Sequence, residues 1–176
     1  PSLLALSAVH HHLIKEKTRT KVSIIVETGE ARETMHFALL LGYGATAVNP
    51  YIAFESIRQL VRENDIYVED STKAITNYIS AINHGILKIL SKMGISTLRS
   101  YHGAEIFEAI GLNSELVNKY FEGTPSRIEG IGIDVVAREV LNRYENAFNK
   151  IRKPVSVLNV GGQYAWRKNG EFHLFN

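Results

Sequence analysis

The sequence has 176 residues, of which 45% are hydrophobic and 22% charged, a composition typical of a globular domain and not of a disordered or fibrous chain. This length allows one domain with a substantial core. The formal net charge is only +2, and the basic residues are interspersed with acidic ones. Because a nucleic-acid interface needs clustered basic residues, we expect no nucleic-acid partner.

Membrane insertion and cysteine chemistry are also disfavoured by the sequence. No apolar run approaches the roughly 20 residues of a bilayer-spanning helix, and no signal-peptide pattern opens the chain. We therefore expect no membrane partner and a cytoplasmic location. The chain contains no cysteine, which excludes disulfides, a thiolate nucleophile and a cysteine-ligated iron-sulfur cluster within these residues.

The first part of the chain predicts alternating helices and strands. An apolar stripe predicts an opening helix with Ser2 as its N-cap, and β-branched residues predict a strand over 21–27. Since the chain opens on a helix, we expect the strand that feeds it to lie upstream. The pattern next predicts a helix over 30–41, a strand over 44–50 and a helix over 51–63.

The second part contains the most regular helical pattern, over 71–93, with Asp70 or Ser71 as the N-cap and Gly94 at the end. A β-hairpin is predicted over 155–175, because Asn169 and Gly170 favour a type I′ turn. Between these two regions the pattern predicts a strand over 95–101, a helix over 104–110, a helix over 114–121, a turn-rich link over 122–132 and a helix beginning at Asp134.

This order of elements predicts an α/β fold made of parallel βαβ units, because a parallel crossover needs a connection as long as a helix. A barrel and an open doubly wound sheet both fit the pattern. We predict a partial β/α-barrel-like domain over 1–150, followed by a β-hairpin segment over 151–176. A sheet edge left open by the missing upstream strand would favour a homo-oligomer.

Two histidine patterns are candidate metal sites. His10, His11 and His12 are consecutive, and adjacent helical residues point about 100° apart, so the three imidazoles cannot converge on one ion. Glu33 and His36 have the spacing of a di-iron ligand helix, but the sequence lacks the second such pair that this site requires. We therefore expect no metal site, one packed histidine in the triplet, and a surface Glu33–His36 hydrogen bond.

Polar residues at the ends of the predicted strands form the candidate site. In β/α barrels the carboxyl ends of the strands converge on one rim, where binding residues gather. The strand ends predict either a polar pocket or channel lining, or structural hydrogen bonding that includes a Glu27–Arg99 ion pair. No nucleophile with a positioned base is evident. The candidate residues are Glu27, Asn49, Arg99, Tyr101 and His102.

Six long segments of the chain are specific enough to indicate a family. They are SLLALSAVHHHLI (2–14), VETGEARETMHFALLLGYGA (26–45), AVNPYIAFE (47–55), SKMGISTLRSYHGAEIFEAIGL (91–112), GTPSRIEGIG (123–132) and GGQYAWRKNGEFHLFN (161–176). In this order they resemble the large subunit of glutamate synthase. The resemblance is to the later part of that family's central domain, and the final segment resembles the stretch that leads into the FMN-binding synthase domain.

The resemblance implies an oxidoreductase that makes two glutamates from glutamine and 2-oxoglutarate with a reductant. A cysteine amidotransferase domain releases ammonia, an internal tunnel carries it, and a site with FMN and an iron-sulfur cluster uses it. The central domain is implied to be α/β and barrel-like, to join the two active-site domains and to help enclose the ammonia path. Its partners are then the amidotransferase and FMN-binding synthase domains.

The same resemblance implies that this segment holds no catalytic residue, no cofactor and no metal, in agreement with the missing cysteine. Because the family's central domain begins upstream of Pro1, we expect a part of a longer protein or a split gene product. A free-standing barrel-like module that binds a small anionic metabolite or phosphate at the strand ends remains the alternative. The resemblance does not identify the electron donor.

Overall fold

The computed structural model describes residues 1–148 apart from residues 67, 69 and 105. The chain divides into two compact units, Pro1–Arg138 and Glu139–Asn176. The predicted hairpin segment over 151–176 lies outside the described residues, and the boundary at residue 150 stays a prediction.

The described residues form helices and short strands. The elements are α1 (Ser2–Lys15), a 3-10 turn (Arg19–Lys21), β1 (Ile25–Glu27), α2 (Thr34–Gly42), β2 (Ala47–Asn49), α3 (Tyr51–Arg62), α4 (Ser71–Met93), α5 (Leu98–Tyr101), β3 (Ala109–Leu112), α6 (Ser114–Tyr120), β4 (Ser126–Ile131) and α7 (Ile133–Phe148).

The four strands form two separate parallel pairs, each joined by a crossover helix. Strand β1 pairs with β2 across α2, with Ile25 opposite Ala47. Strand β3 pairs with β4 across α6, with Ile110 opposite Ile128. The α/β class with parallel strands and crossover helices is therefore confirmed. Within the described residues the strands form two two-stranded sheets and do not close a barrel.

The core is assembled mainly from the helices that cover these sheets. Tyr43 lies at its centre, where its ring stacks on Phe107 and meets Phe121 edge to face at 5.3 Å between ring centroids. The Tyr43 hydroxyl is also hydrogen-bonded to Thr124 at 2.8 Å, so the polar end of the buried ring is satisfied. The remaining buried members of this cluster are Leu6, Ala31, Phe37, Ala38, Leu40, Ala45, Ile86, Leu90, Tyr101, Leu116 and Val117.

Helix α4 is confirmed at both predicted ends. Asp70 is the N-cap, and its carboxylate accepts a hydrogen bond from Lys73 N at 2.7 Å. Gly94 follows the last helical residue in the left-handed conformation, with φ of 70°. In the part of the chain that the structure describes, this helix and the others lack the length and apolarity needed to cross a membrane.

Three predicted elements were wrong, and each has a local cause. The predicted strand over 95–101 contains helix α5 instead, because the Thr97 hydroxyl accepts from Ser100 N and caps one helical turn. The predicted helix over 104–110 is replaced at its end by strand β3, and the predicted link over 122–132 contains strand β4. These two strands stabilise each other through a long-range pairing that local propensity does not report.

The predicted N-cap of α1 was also wrong. Ser2 is the first helical residue, and Pro1 precedes the helix as its N-cap. The Ser2 amide and hydroxyl both donate to the Glu30 carboxylate, at 2.8 and 2.6 Å. A distant carboxylate therefore satisfies the helix terminus that the sequence assigned to a local cap.

The C-cap of α4 gives a test of backbone conformation. A Cβ atom at Gly94 would meet no heavy atom within 4 Å, so Gly94→Ala changes only the cost of a left-handed backbone. We expect Gly94→Ala to lower the free energy of unfolding by about 1 kcal/mol, measured by urea denaturation. Because asparagine tolerates this conformation, Gly94→Asn should cost less. Equal losses in the two variants would contradict this explanation.

Candidate functional site

Glu27 and Asn49 lie side by side at the carboxyl ends of β1 and β2. They are register partners in the parallel pair, and both are exposed. Register partners place their side chains on the same face of a sheet. Beyond them the ladder continues with a hydrogen bond from Thr28 N to the Asn49 carbonyl at 3.0 Å. The structure thus brings these two candidate residues together on an open sheet face.

Arg99, Tyr101 and His102 do not end a strand, because α5 occupies this stretch. Tyr101 is 1% exposed, and its hydroxyl donates to the Ala38 carbonyl at 3.1 Å. Burial raises the pKa of Tyr101, which is therefore protonated at neutral pH. Arg99 is exposed, and among the ion pairs of the described residues none joins it to Glu27. A shared pocket or channel lining stays a prediction.

A cavity of about 620 Å³ opens beside β2, between α2, α3 and α4. Most of its lining is apolar, and Thr46, Asn83 and Ser96 are the polar exceptions. None of the five candidate residues lines this cavity. Its apolar walls suit a hydrophobic side chain better than a charged metabolite.

A cluster around Arg19 joins α1 to the glycine turn that follows α2 and was not expected from the sequence. The Arg19 Nε donates to His10 Nδ1 at 3.0 Å, and its two terminal nitrogens donate to the carbonyls of Val22 and Gly44 at 2.9 and 2.8 Å. Gly44 has a φ of 101°, and a Cβ there would collide with the His10 ring. Glycine is therefore required for this close approach.

The His10 imidazole of this cluster is neutral at pH 7. Burial, followed by the charges of Arg19, His11 and His102, lowers the pKa of His10 from 6.5 to about 4. Burial and then Arg19 also lower the pKa of His102, whose Nε2 is buried without a hydrogen-bond partner among the described residues. Since His10 Nδ1 accepts from Arg19, its proton is on Nε2. The hydrogen bonds of Arg19 thus connect α1, the 3-10 turn and the turn that follows α2.

The geometry of the histidines does not form a metal site. His11 is buried and His12 exposed, while His10 bonds Arg19, so consecutive imidazoles point in different directions. His36 Nδ1 accepts from the backbone N–H of Glu33 at 3.3 Å, as part of a reciprocal cap at the start of α2. Across the described ranges no group of three His, Asp or Glu side chains could hold a metal ion.

An iron-sulfur cluster does not fit this segment, and the described glycine turns at Gly44 and Gly132 do not suit a phosphate group. The sequence has no cysteine, so an iron-sulfur cluster would find no thiolate ligand among these 176 residues. Gly44 stands in a turn that packs on His10, and Gly132 lies beside Asn113 and Asp134. These glycine turns are occupied by protein side chains and do not form a phosphate cradle.

The mixed α/β segment defined by these elements has clear relatives. A sequence model of the glutamate synthase central domain matches residues 1–113. The chain is 47% identical to the NADPH-type glutamate synthase large chain of Bacillus subtilis and 44% identical to the NADH-type enzyme of Saccharomyces cerevisiae. It is 46% identical to ferredoxin-dependent glutamate synthase 2 of Synechocystis.

These matches cover 98 to 100% of the chain but only 8 to 12% of each relative. The chain thus spans about a tenth of the length of the curated relatives it matches. The chain belongs to the glutamate synthase family and corresponds to part of the central domain. The resemblance seen in the sequence is confirmed.

The neutral His10 predicts a loss of stability in acid. Its pKa is 6.5 unfolded and about 4 folded, so protons bind the unfolded state first as the pH falls. The stabilisation is complete above pH 6.5 and is lost as the pH falls towards 4. For a half-exposed group we expect up to about 2 kcal/mol. His10→Asn should reduce this pH dependence, since its amide oxygen accepts from Arg19 without titrating.

The measurement is urea unfolding of both proteins between about pH 7 and pH 4.5. His12→Asn, at the exposed neighbouring position, is the matched control and should keep the pH dependence of the unsubstituted chain. An unchanged pH dependence in His10→Asn would show that His10 does not titrate in this way.

Proposed function

We propose that this chain is a non-catalytic connecting element of glutamate synthase, placed between the amidotransferase and FMN-binding synthase domains. Its membership of the central-domain family is the observation that carries the proposal. The absence of cysteine supports it, because neither an amidotransferase thiolate nor cluster ligands can come from these residues. FMN and an iron-sulfur cluster in the other domains would supply electrons for the reaction. Cytoplasmic location stays a prediction.

The comparison with relatives supports a position of this segment away from the site at which the electron donor binds. Their names specify NADPH, NADH and ferredoxin as electron donors, yet the identities to this chain stay between 44 and 47%. A segment that contacted the donor would be expected to differ with its chemistry, because a nicotinamide nucleotide and an acidic protein need different surfaces. We infer that this segment serves a step that all three types share.

Ammonia passage is such a shared step, and we assign part of its lining to Glu27 and Asn49. Their open, adjacent position at two parallel strand ends supports this assignment. Carboxylate and amide oxygens can accept hydrogen bonds from ammonia without reacting with it. The remaining large chain would complete a barrel-like layout around these strand ends and exclude bulk water.

Asn49→Phe tests this role in the full-length large chain that contains this sequence. A bulky ring at an exposed strand position is compatible with folding but would obstruct the passage. We expect glutamine-dependent glutamate formation to fall at least about threefold, roughly 0.7 kcal/mol, while glutamate formation from added ammonium is retained. The ratio of the two rates is the measurement. An unchanged ratio would contradict channel lining at this position.

Glu27→Gln tests the charge at the same place, and it should shift this ratio in the same direction but less than Asn49→Phe. Glu16→Gln is the matched control, since Glu16 is also exposed but is the C-cap residue of α1 and does not belong to either strand. A similar shift in Glu16→Gln would indicate a general effect of charge and would argue against a local passage.

The alternative of a free-standing module for anionic metabolites predicts a different result. Titration calorimetry of the 176-residue chain with 2-oxoglutarate, glutamate and FMN should give no binding heat if the chain is a connector. Saturable binding that Arg99→Gln abolishes would instead support the module. Arg99 is suited to this test because it is an exposed cation among the candidate residues.

A further inference from the structure

The outer face of the β3–β4 sheet carries two exposed isoleucines that are direct neighbours. Ile110 and Ile128 are register partners, and they are 69% and 58% exposed. Partners in a parallel pair place their side chains on the same face, so the two form one apolar surface. We call Ile110 and Ile128 the isoleucine face.

The residues on either side of Ile110 show which side of the sheet this is. Ala109 and Leu112 of the same strand pack against the core, whereas Ile110 is exposed. The register of the pair shifts on both sides of Ile110, so the exposure of each side chain, and not strict alternation along the strand, identifies the face. The core therefore covers one face of the sheet and leaves the isoleucine face open.

The first sheet has the same arrangement. Val26 and Val48 pack against the core, whereas Ile25 is 70% exposed. All-parallel sheets occur in proteins almost only with both faces covered, because their backbone pairing and apolar side chains are adapted to burial. Exposed isoleucines on parallel sheets of the described residues are therefore candidates for burial by other polypeptide.

We propose that the isoleucine face is an intramolecular interface, covered by an apolar surface of the remaining polypeptide of the glutamate synthase large chain. This inference rests on the proposed place of the chain in that enzyme. The relatives contain enough additional polypeptide to form such a contact, since about nine tenths of their length lies outside the matched region.

The size of the face favours a tethered occupant over a second copy of the chain. Two isoleucine side chains expose on the order of 200 Å², whereas stable complexes between separate proteins bury about 800 Å² per partner. A domain of the same polypeptide is present at an effective concentration that can reach about millimolar, so a small apolar contact suffices. Because both side chains of the isoleucine face are apolar, we expect the surface that covers them to be apolar as well.

Hydrogen exchange tests the proposal without depending on ammonia transfer. Exchange of peptides covering residues 109–131 is measured by mass spectrometry in the full-length large chain that contains this sequence and in the 176-residue chain. We expect these peptides to exchange at least about tenfold more slowly in the large chain. Equal rates in the two proteins would overturn the proposal without any variant being made.

The double variant Ile110→Lys with Ile128→Lys should abolish most of this protection in the large chain. In the 176-residue chain it should change the exchange rate less than about twofold, because both side chains are already exposed. Ile14→Lys is the matched control: Ile14 is 49% exposed on α1 and should leave the protection intact. If residues 109–131 of the double variant keep their protection from exchange, a contact other than the isoleucine face causes it, and the proposal is overturned.

Sedimentation velocity of the 176-residue chain tests whether a second copy of the chain occupies the isoleucine face instead. A concentration-dependent dimer that the double lysine variant abolishes would assign the face to a second copy and overturn the intramolecular proposal; a monomer supports it. Hydrogen exchange does not report catalysis, so the two proposals can fail separately. If the double lysine variant loses its protection from exchange while Asn49→Phe leaves the ratio of glutamine-dependent to ammonium-dependent rates unchanged, the intramolecular interface is supported and the ammonia passage is rejected. If the unsubstituted large chain shows no protection while Asn49→Phe changes this ratio, only the intramolecular interface is rejected.

Discussion

Parallel pairing of short strands is the constraint on which the rest of this chain depends. Two parallel strands cannot be joined by a tight turn, so each pair needs a crossover, and here α2 and α6 provide it. The crossover covers one sheet face and builds the core there, around residues such as Tyr43 and Leu116. It also aligns the strand ends, which is why Glu27 and Asn49 are register partners although 21 residues lie between them in the sequence.

Much of the helical fold could be predicted from the sequence, because its signals are local. The three- and four-residue spacing of apolar residues, with Asp70 at one end and Gly94 at the other, defines α4 to the residue. Strands β3 and β4 were missed because their stability comes from each other. Gly130 was assigned to the turn-rich link, whereas the close approach of its backbone to Gly111 in the sheet explains why position 130 lacks a side chain.

The candidate site was predictable only where it followed from strand order. Glu27 and Asn49 met as expected, because both strands were recognised and parallel pairing fixed their register. Tyr101 and His102 were assigned to a strand end that does not exist, since the hydroxyl of Thr97 stabilises a helical turn there. The bond between Arg19 and His10 had no local signal, because it depends on how the chain returns after α1.

The division into two βαβ units also bears on the order of folding. The contacts within each pair close loops of only about 20 residues, which costs little chain entropy and favours rapid formation. During synthesis, β1, α2 and β2 leave the ribosome before β3 is made, so the first pair can form while the second is still absent. The exposed isoleucine on each open face would then be a site that chaperones can bind on the nascent chain for as long as that face stays uncovered.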